Sequence, residues 1–89
     1  MYIVIPVHNR RAITIGCLQR LKSLDILQRY SVIVVDDGST DGTSEAIKTQ
    51  FPDIVLLRGE GNLRWTGAIK LGKEYAYSRG CEFILWLND

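Results

Sequence analysis

Val32-Ile33-Val34-Val35-Asp36-Asp37-Gly38-Ser39-Thr40-Asp41-Gly42-Thr43 is the stretch on which the fold turns. Four consecutive β-branched apolar residues read as a strand buried on both faces, the pattern of a parallel sheet with helices on either side. The run stops at two carboxylates, and Gly38 and Gly42 bracket a polar turn of Ser, Thr and Asp. A helix is predicted from about Thr43, with Asp41 or Thr43 as its N-cap and with Ala46, Ile47 and Phe51 facing inward. Pro52 ends it.

Outward from this block the same alternation repeats. Tyr2 to Val7 reads as a first strand, the block's own strand runs from Ser31 to Val35, Ile54 to Leu57 reads as a third and Phe83 to Leu87 as a fourth. Between the first two, Asn9-Arg10 opens a helical pattern with Ile13, Cys17, Leu21 and Leu24 on one face. After the third, the loop Gly59-Glu60-Gly61-Asn62 leads into a helix from about Thr66, with Ala68, Leu71, Tyr75 and Ala76 at helical spacing and Gly80 where a helix-ending glycine belongs. The order βαβαβαβ predicts an α/β fold: a three-layer α/β/α arrangement around a mostly parallel sheet with right-handed crossovers. No repeat, linker or domain boundary interrupts it.

Composition narrows the function. The chain has 89 residues, 46% of them hydrophobic, with 11 Lys and Arg against 10 Asp and Glu. That suits one small domain and argues against disorder. Near-neutral charge gives no electrostatic case for a nucleic-acid or anionic-membrane binder, so no nucleic-acid partner is expected. No apolar run approaches the ~20 residues of a spanning helix, and Met1-Tyr2-Ile3-Val4-Ile5-Pro6 lacks the basic lead and cleavage site of a signal peptide. Cys17 and Cys81 are isolated, without metal-site spacing, and read as buried reduced thiols of a cytoplasmic protein. An enzyme with both a nucleotide site and an acceptor site usually needs well over ~100 residues, so a part of something larger is expected.

In open α/β sheets ligands bind beyond the carboxyl ends of the strands. Those ends deliver Pro6-Val7-His8-Asn9, Asp36-Asp37-Gly38-Ser39, Arg58-Gly59-Glu60-Gly61-Asn62 and Asn88-Asp89, while the opposite border, at Tyr30-Ser31 and Pro52-Asp53, is poorer in such groups. The assembly suits a nucleotide diphosphate. Carboxylates can accept from a base N–H or ribose hydroxyls, a cation such as Arg64 and helix N-termini can hold phosphate oxygens, and an acid ending the fourth strand could coordinate a hard divalent ion. Asp41, by contrast, reads first as a turn-making and capping residue.

Ile3-Val4-Ile5-Pro6-Val7-His8-Asn9-Arg10, the block from Val32 to Thr43, and then Gly61-Asn62, Ala68, Gly72, Gly80 and Leu87-Asn88-Asp89 together resemble glycosyltransferase family 2, over the whole chain. The resemblance implies the nucleotide-binding half of a GT-A fold with strand order 3-2-1-4, and a nucleotide-diphosphate sugar as donor. It implies that Pro6, Val7 and His8 line the base pocket, His8 by stacking. By the same resemblance Asp37 pairs with a base N–H, supported by Asp36, and Arg64 and Thr66 are weaker candidates for base or phosphate contact. Asn88-Asp89 falls where the family carries an Asp-X-Asp-like motif, so Asp89 is a candidate for the ribose or for a Mn²⁺ or Mg²⁺ ion of the full-length enzyme.

The departures from that pattern matter too. Asn88 takes the first motif position, and the third falls at residue 90, beyond this sequence. The acceptor half and the base that inverting members use to deprotonate the acceptor hydroxyl are not among these residues, so the 89 residues are expected to be inert alone. The cytoplasm is the expected setting, at the inner face of the membrane in a full-length context. Phe83 to Leu87 ends the sheet as an apolar edge free of proline and charge, which predicts a homo-oligomer, with Trp65 and Trp86 as candidate anchors.

Other classes fit less well. A dinucleotide-binding dehydrogenase needs glycines after the first strand, where Pro6 to Arg11 has none. A receiver-like domain needs its acidic pair there as well. A calcium loop from Asp37 fails at Lys48, and no Gly-X-Ser-X-Gly elbow is present. The rival from a different class is a non-catalytic interaction module that keeps the half-fold as a scaffold.

Overall fold

A computed structural model of the chain describes residues 2–80 and 84–87, the side chain of Trp65 aside. Four strands, β1 (Tyr2–Val7), β2 (Ser31–Asp37), β3 (Val55–Gly59) and β4 (Ile84–Trp86), pair in parallel in the order β3-β2-β1-β4. This is the predicted α/β fold and strand order. The helices are α1 (Arg11–Ser23), the single turn α2 (Ile26–Arg29), α3 (Thr43–Gln50) and α4 (Arg64–Ser78).

Strand alternation explains the layers. Ile3, Ile5 and Val7 of β1 and Val32 and Val34 of β2 pack with Leu18 and Leu21 of α1, Ile47 of α3 and Phe51 in one core. Val4, Ile33 and Val35 turn to the other face and pack with Ala68, Ile69 and Ala76 of α4. The register Ile3↔Val32 and Val4↔Ile33 keeps like with like on each face. α4 comes very close to the sheet at Gly72, where a Cβ would stand 2.5 Å from a Val4 methyl and 3.3 Å from one of Val35.

Several boundaries differ from expectation for physical reasons. β2 continues two residues beyond Val35, because Asp36 and Asp37 pair with Arg58 and Gly59 of β3. The buried stripe of α1 is Thr14, Leu18 and Leu21, while Ile13 is 47% and Leu24 59% exposed. Leu21 is common to both stripes, but Thr14 and Leu18 stand one position, roughly 100° of helix, from Ile13 and Cys17, because α1 must face both the sheet and α3. Cys17 is accordingly half-buried rather than buried. α2, a turn entered through Asp25 at φ 63°, was not expected. α4 begins at Arg64, two residues ahead of Thr66. Cys81, Phe83, Asn88 and Asp89 lie outside the described residues, as does the side chain of Trp65. Among the described residues no helix is long and apolar enough to cross a membrane.

Candidate functional site

The carboxyl border of the sheet is organised by the three aspartates of the block, each doing a different task. Because successive strand residues face opposite sides, Asp36 turns toward α3 and Asp37 toward α4. Asp36 is fully buried; its Oδ2 accepts from the Ser44 hydroxyl and its Oδ1 from the Ser39 N–H at 3.1 Å. Asp37 spans to the loop before α4: Oδ1 accepts from the Gly61 N–H at 2.8 Å, and Oδ2 from those of Leu63 at 2.9 Å and Arg64 at 3.0 Å. Burial pushes the Asp37 carboxyl up, but the Arg64, Leu63 and Gly61 N–H groups, with the nearby His8, outweigh it and hold the group below the usual carboxylate range.

Asp41 reaches two helix starts. Its Oδ1 accepts from the Thr43 hydroxyl and from the Thr43 N–H at 3.2 Å, and its Oδ2 from the Arg11 N–H at 3.0 Å. The Thr43 hydroxyl is the main reason its carboxyl is held low. The helix boundary itself falls at Gly42, so Asp41 caps α3 from one position further out than expected. Together, Asp37 and Asp41 supply carboxylate acceptors to the N-termini of α1, α3 and α4, where the helix dipole favours negative charge.

The first loop joins this framework. The His8 ring places Nδ1 2.5 Å from the Asp37 carbonyl oxygen, and Asn9 Nδ2 lies 3.3 Å from His8 Nε2. The Asp37 carbonyl can only accept, so Nδ1 is the donor in that contact. Asn9, at φ 50°, donates its N–H to Ser39 Oγ at 2.8 Å and accepts the Thr40 N–H on Oδ1 at 2.7 Å. Gly38, at φ 68°, lets the β2 turn touch the third loop: a Cβ there would lie 2.6 Å from the Gly61 nitrogen.

The structure therefore brings His8, Asp36, Asp37 and Arg64 to one border, with Arg64 exposed at φ 59°. Pro6 and Val7 are buried in β1, and Val7 packs into the core beneath α1 and α3, so the side chain it was expected to lend a base pocket lies in that core. Asp89 is outside the described residues. Sequence reasoning missed Ser44 and the tight glycine contacts, and it placed Asn9 at this border without giving it a role. The clue for Ser44 was its position eight residues beyond Asp36, where the first turn of α3 folds back over the strand end.

Every oxygen of Asp36, Asp37 and Asp41 already accepts a hydrogen bond from the chain. Among the described residues no group of three His, Cys, Asp or Glu side chains is placed to hold a metal ion. A divalent cation does not fit these three carboxylates as they stand. A cavity of about 370 Å³ lies at the opposite border, lined among others by Lys22, Arg29, Tyr30, Phe51 and Asp53, away from all of these groups.

Sequence comparison decides the family. The profile of Glycosyl transferase family 2 matches residues 2–89. The chain belongs to that family. An uncharacterized protein of Methanocaldococcus jannaschii is 35% identical over 92 residues, covering 99% of this chain and 35% of its own length. An undecaprenyl-phosphate 4-deoxy-4-formamido-L-arabinose transferase of Aeromonas hydrophila is 42% identical over 48 residues, 52% of this chain and 15% of its own. The family 2 chain thus spans about a third or less of these curated relatives. No solved structure matches it.

Proposed function

We propose that the carboxyl border is the donor-binding region of a glycosyltransferase, taking a nucleotide-diphosphate sugar whose sugar the whole enzyme transfers to an acceptor hydroxyl. The observation that carries this reading is the convergence on Asp37: His8 from the first loop and residues 61–64 from the third are joined through one residue at the border where α/β sheets bind ligands. Family membership supports the reaction class. In this reading His8 stacks on the base, Asp36 stiffens the turn, Pro6 and Val7 form the floor through the backbone, and Arg64 meets phosphate oxygens. Mn²⁺ or Mg²⁺ belongs to the reading through Asp89 and the diphosphate oxygens rather than through the carboxylates already engaged. Deprotonation of the acceptor belongs to a base outside the groups placed here, so these 89 residues bind donor without turning it over. A cytoplasmic setting at the inner membrane face is part of the proposal, and the Aeromonas relative, named for a lipid phosphate, is in keeping with work beside a membrane.

Calorimetric titration with UDP, GDP, CDP and dTDP, with and without Mn²⁺, tests it. One of the four is expected to bind, and His8→Ala to weaken it about tenfold through lost stacking. Heat from none of them favours the second reading, a transferase half-fold kept as an interaction scaffold. That each carboxylate oxygen of the three aspartates already accepts from the chain itself is the observation on that side.

A further inference from the structure

We infer that the cavity at the opposite border of the sheet is a binding site for a small organic oxyanion with an aromatic or short acyl body, independent of what binds at the carboxyl border. Its origin lies in the lengths of two helices. α1 runs for 13 residues and α3 for 8, about 20 Å against about 12 Å. Both start at the carboxyl border and run back over the same face of the parallel sheet, so α3 stops short. Phe51 and the turn through Asp53 continue from its end, while the chain leaving α1 passes through Asp25 into α2. Between these two returns lies the cavity of about 370 Å³, inside the range of about 300–1,000 Å³ that small-molecule sites occupy.

The lining divides by chemistry. Val32 and Phe51, both buried, and the half-buried Ile54 give it an apolar floor. Lys22 and Arg29 from the α1–α2 side and Asp53 from the turn before β3 stand exposed at its rim. Among the described residues these three charged side chains have no hydrogen-bond or ion-pair partner, whereas the carboxylates of the other border are engaged by the chain. The ends of α1, α2 and α3 meet at this border and bring at most about one and a half negative charges. Arg20, Lys22, Arg29 and Lys48 stand in their last turns, and these four cations exceed the helix ends, Asp25 and Asp53 taken together. Two of the four line the cavity, where Asp53 is the single carboxylate of the lining. An apolar floor under two uncommitted cations suits a ligand whose body rests on Phe51 and whose oxyanion turns toward Lys22 and Arg29, away from Asp53. Reading the strand ends alone passes over this place, because its cations come from helix ends.

Titration of the intact protein followed by ¹⁵N–¹H spectra tests the site. The probes are naphthyl phosphate, which carries both parts, naphthol, which lacks the oxyanion, and inorganic phosphate, which lacks the body. Naphthyl phosphate is expected to bind at about 1 mM or below and to shift amides within residues 27–32 and 50–55. Naphthol should bind at least about threefold more weakly, and inorganic phosphate should shift nothing at the same concentration. Excess UDP should leave the naphthyl phosphate shifts in place. Lys22→Gln and Arg29→Gln should each weaken naphthyl phosphate about threefold, and Asp53→Asn should tighten it about twofold. All three side chains are exposed, so each variant should melt at the temperature of the unaltered protein. Absence of shifts at several millimolar naphthyl phosphate, equal binding of naphthol, or an affinity unmoved when Lys22→Gln and Arg29→Gln are combined overturns the site. Shifts centred on residues 36–44 and 59–64 overturn it as well.

Discussion

At the scale of single residues, the adjacent Asp36 and Asp37 differ because a strand sends neighbours to opposite faces. Asp36 ends under α3 with the Ser44 hydroxyl on its Oδ2. Ser44→Ala leaves that buried oxygen without its donor, and the expected loss is about 1–3 kcal/mol of stability. Urea denaturation reads it directly, and an unchanged midpoint refutes the contact. Asp37 and Asp41 lead to a pH dependence. Both carboxyls are held below their ordinary values in the folded chain, so their contribution is complete above the unfolded aspartate pKa of about 3.9. It fades as the pH falls through the lower folded values. Thermal melts between about pH 2 and pH 6 should show stability falling on the acid side, with a shallower fall in Asp41→Asn. These roles were only half visible in the sequence. The acidic block announced a strand end with a polar site, and Asp41 read correctly as a capping group. Nothing in a string of letters says that Asp37 accepts from residues more than twenty positions away, since that depends on how closely two turns approach.

Elements follow the same division. The apolar runs of β1 and β2 are legible because a strand buried on both faces allows almost nothing else at those positions. α4 is legible through Ala68, Leu71, Tyr75 and Ala76 at helical spacing, but its close approach to the sheet at Gly72 is not. Gly72→Ala brings a methyl to within 2.5 Å of Val4 Cγ1, which pushes α4 off the sheet at an expected cost of about 1–3 kcal/mol. Adding Val4→Ala should recover part of that loss, so the double variant is more stable than the sum of the two singles implies. Chemical denaturation of the four proteins measures the coupling. α1 resisted reading for the opposite reason. Its apolar residues are spread widely enough to allow two stripes, and contact with α3, invisible locally, chose the one through Thr14 and Leu18. α2 escaped notice because a single turn after a left-handed aspartate carries too few residues for periodicity to act on.

For the whole molecule, the parallel order β3-β2-β1-β4 puts β4 at one edge of the described sheet. Leu85 and Trp86, on opposite faces of that strand, are 48% and 46% exposed. The expected behaviour is self-association through this edge. Light scattering over a range of concentrations should show a rising mass, and Leu85→Lys should return it toward that of one chain. A mass that stays at one chain at high concentration removes the edge-pairing expectation. The parallel sheet with right-handed crossovers was readable from the alternation, while the order of its strands came from the family resemblance.

The position of β1 also has a kinetic cost. Tyr2 is laid beside Ser31 on one flank and Ile84 on the other, so β1 is completed by β4, a strand synthesised well after it. During translation the β4 flank of Ile3 and Val4 therefore stays uncovered until Leu85 and Trp86 have emerged. Such distant closures slow refolding, and they make the nascent chain a natural client for chaperones that shield hydrophobic segments.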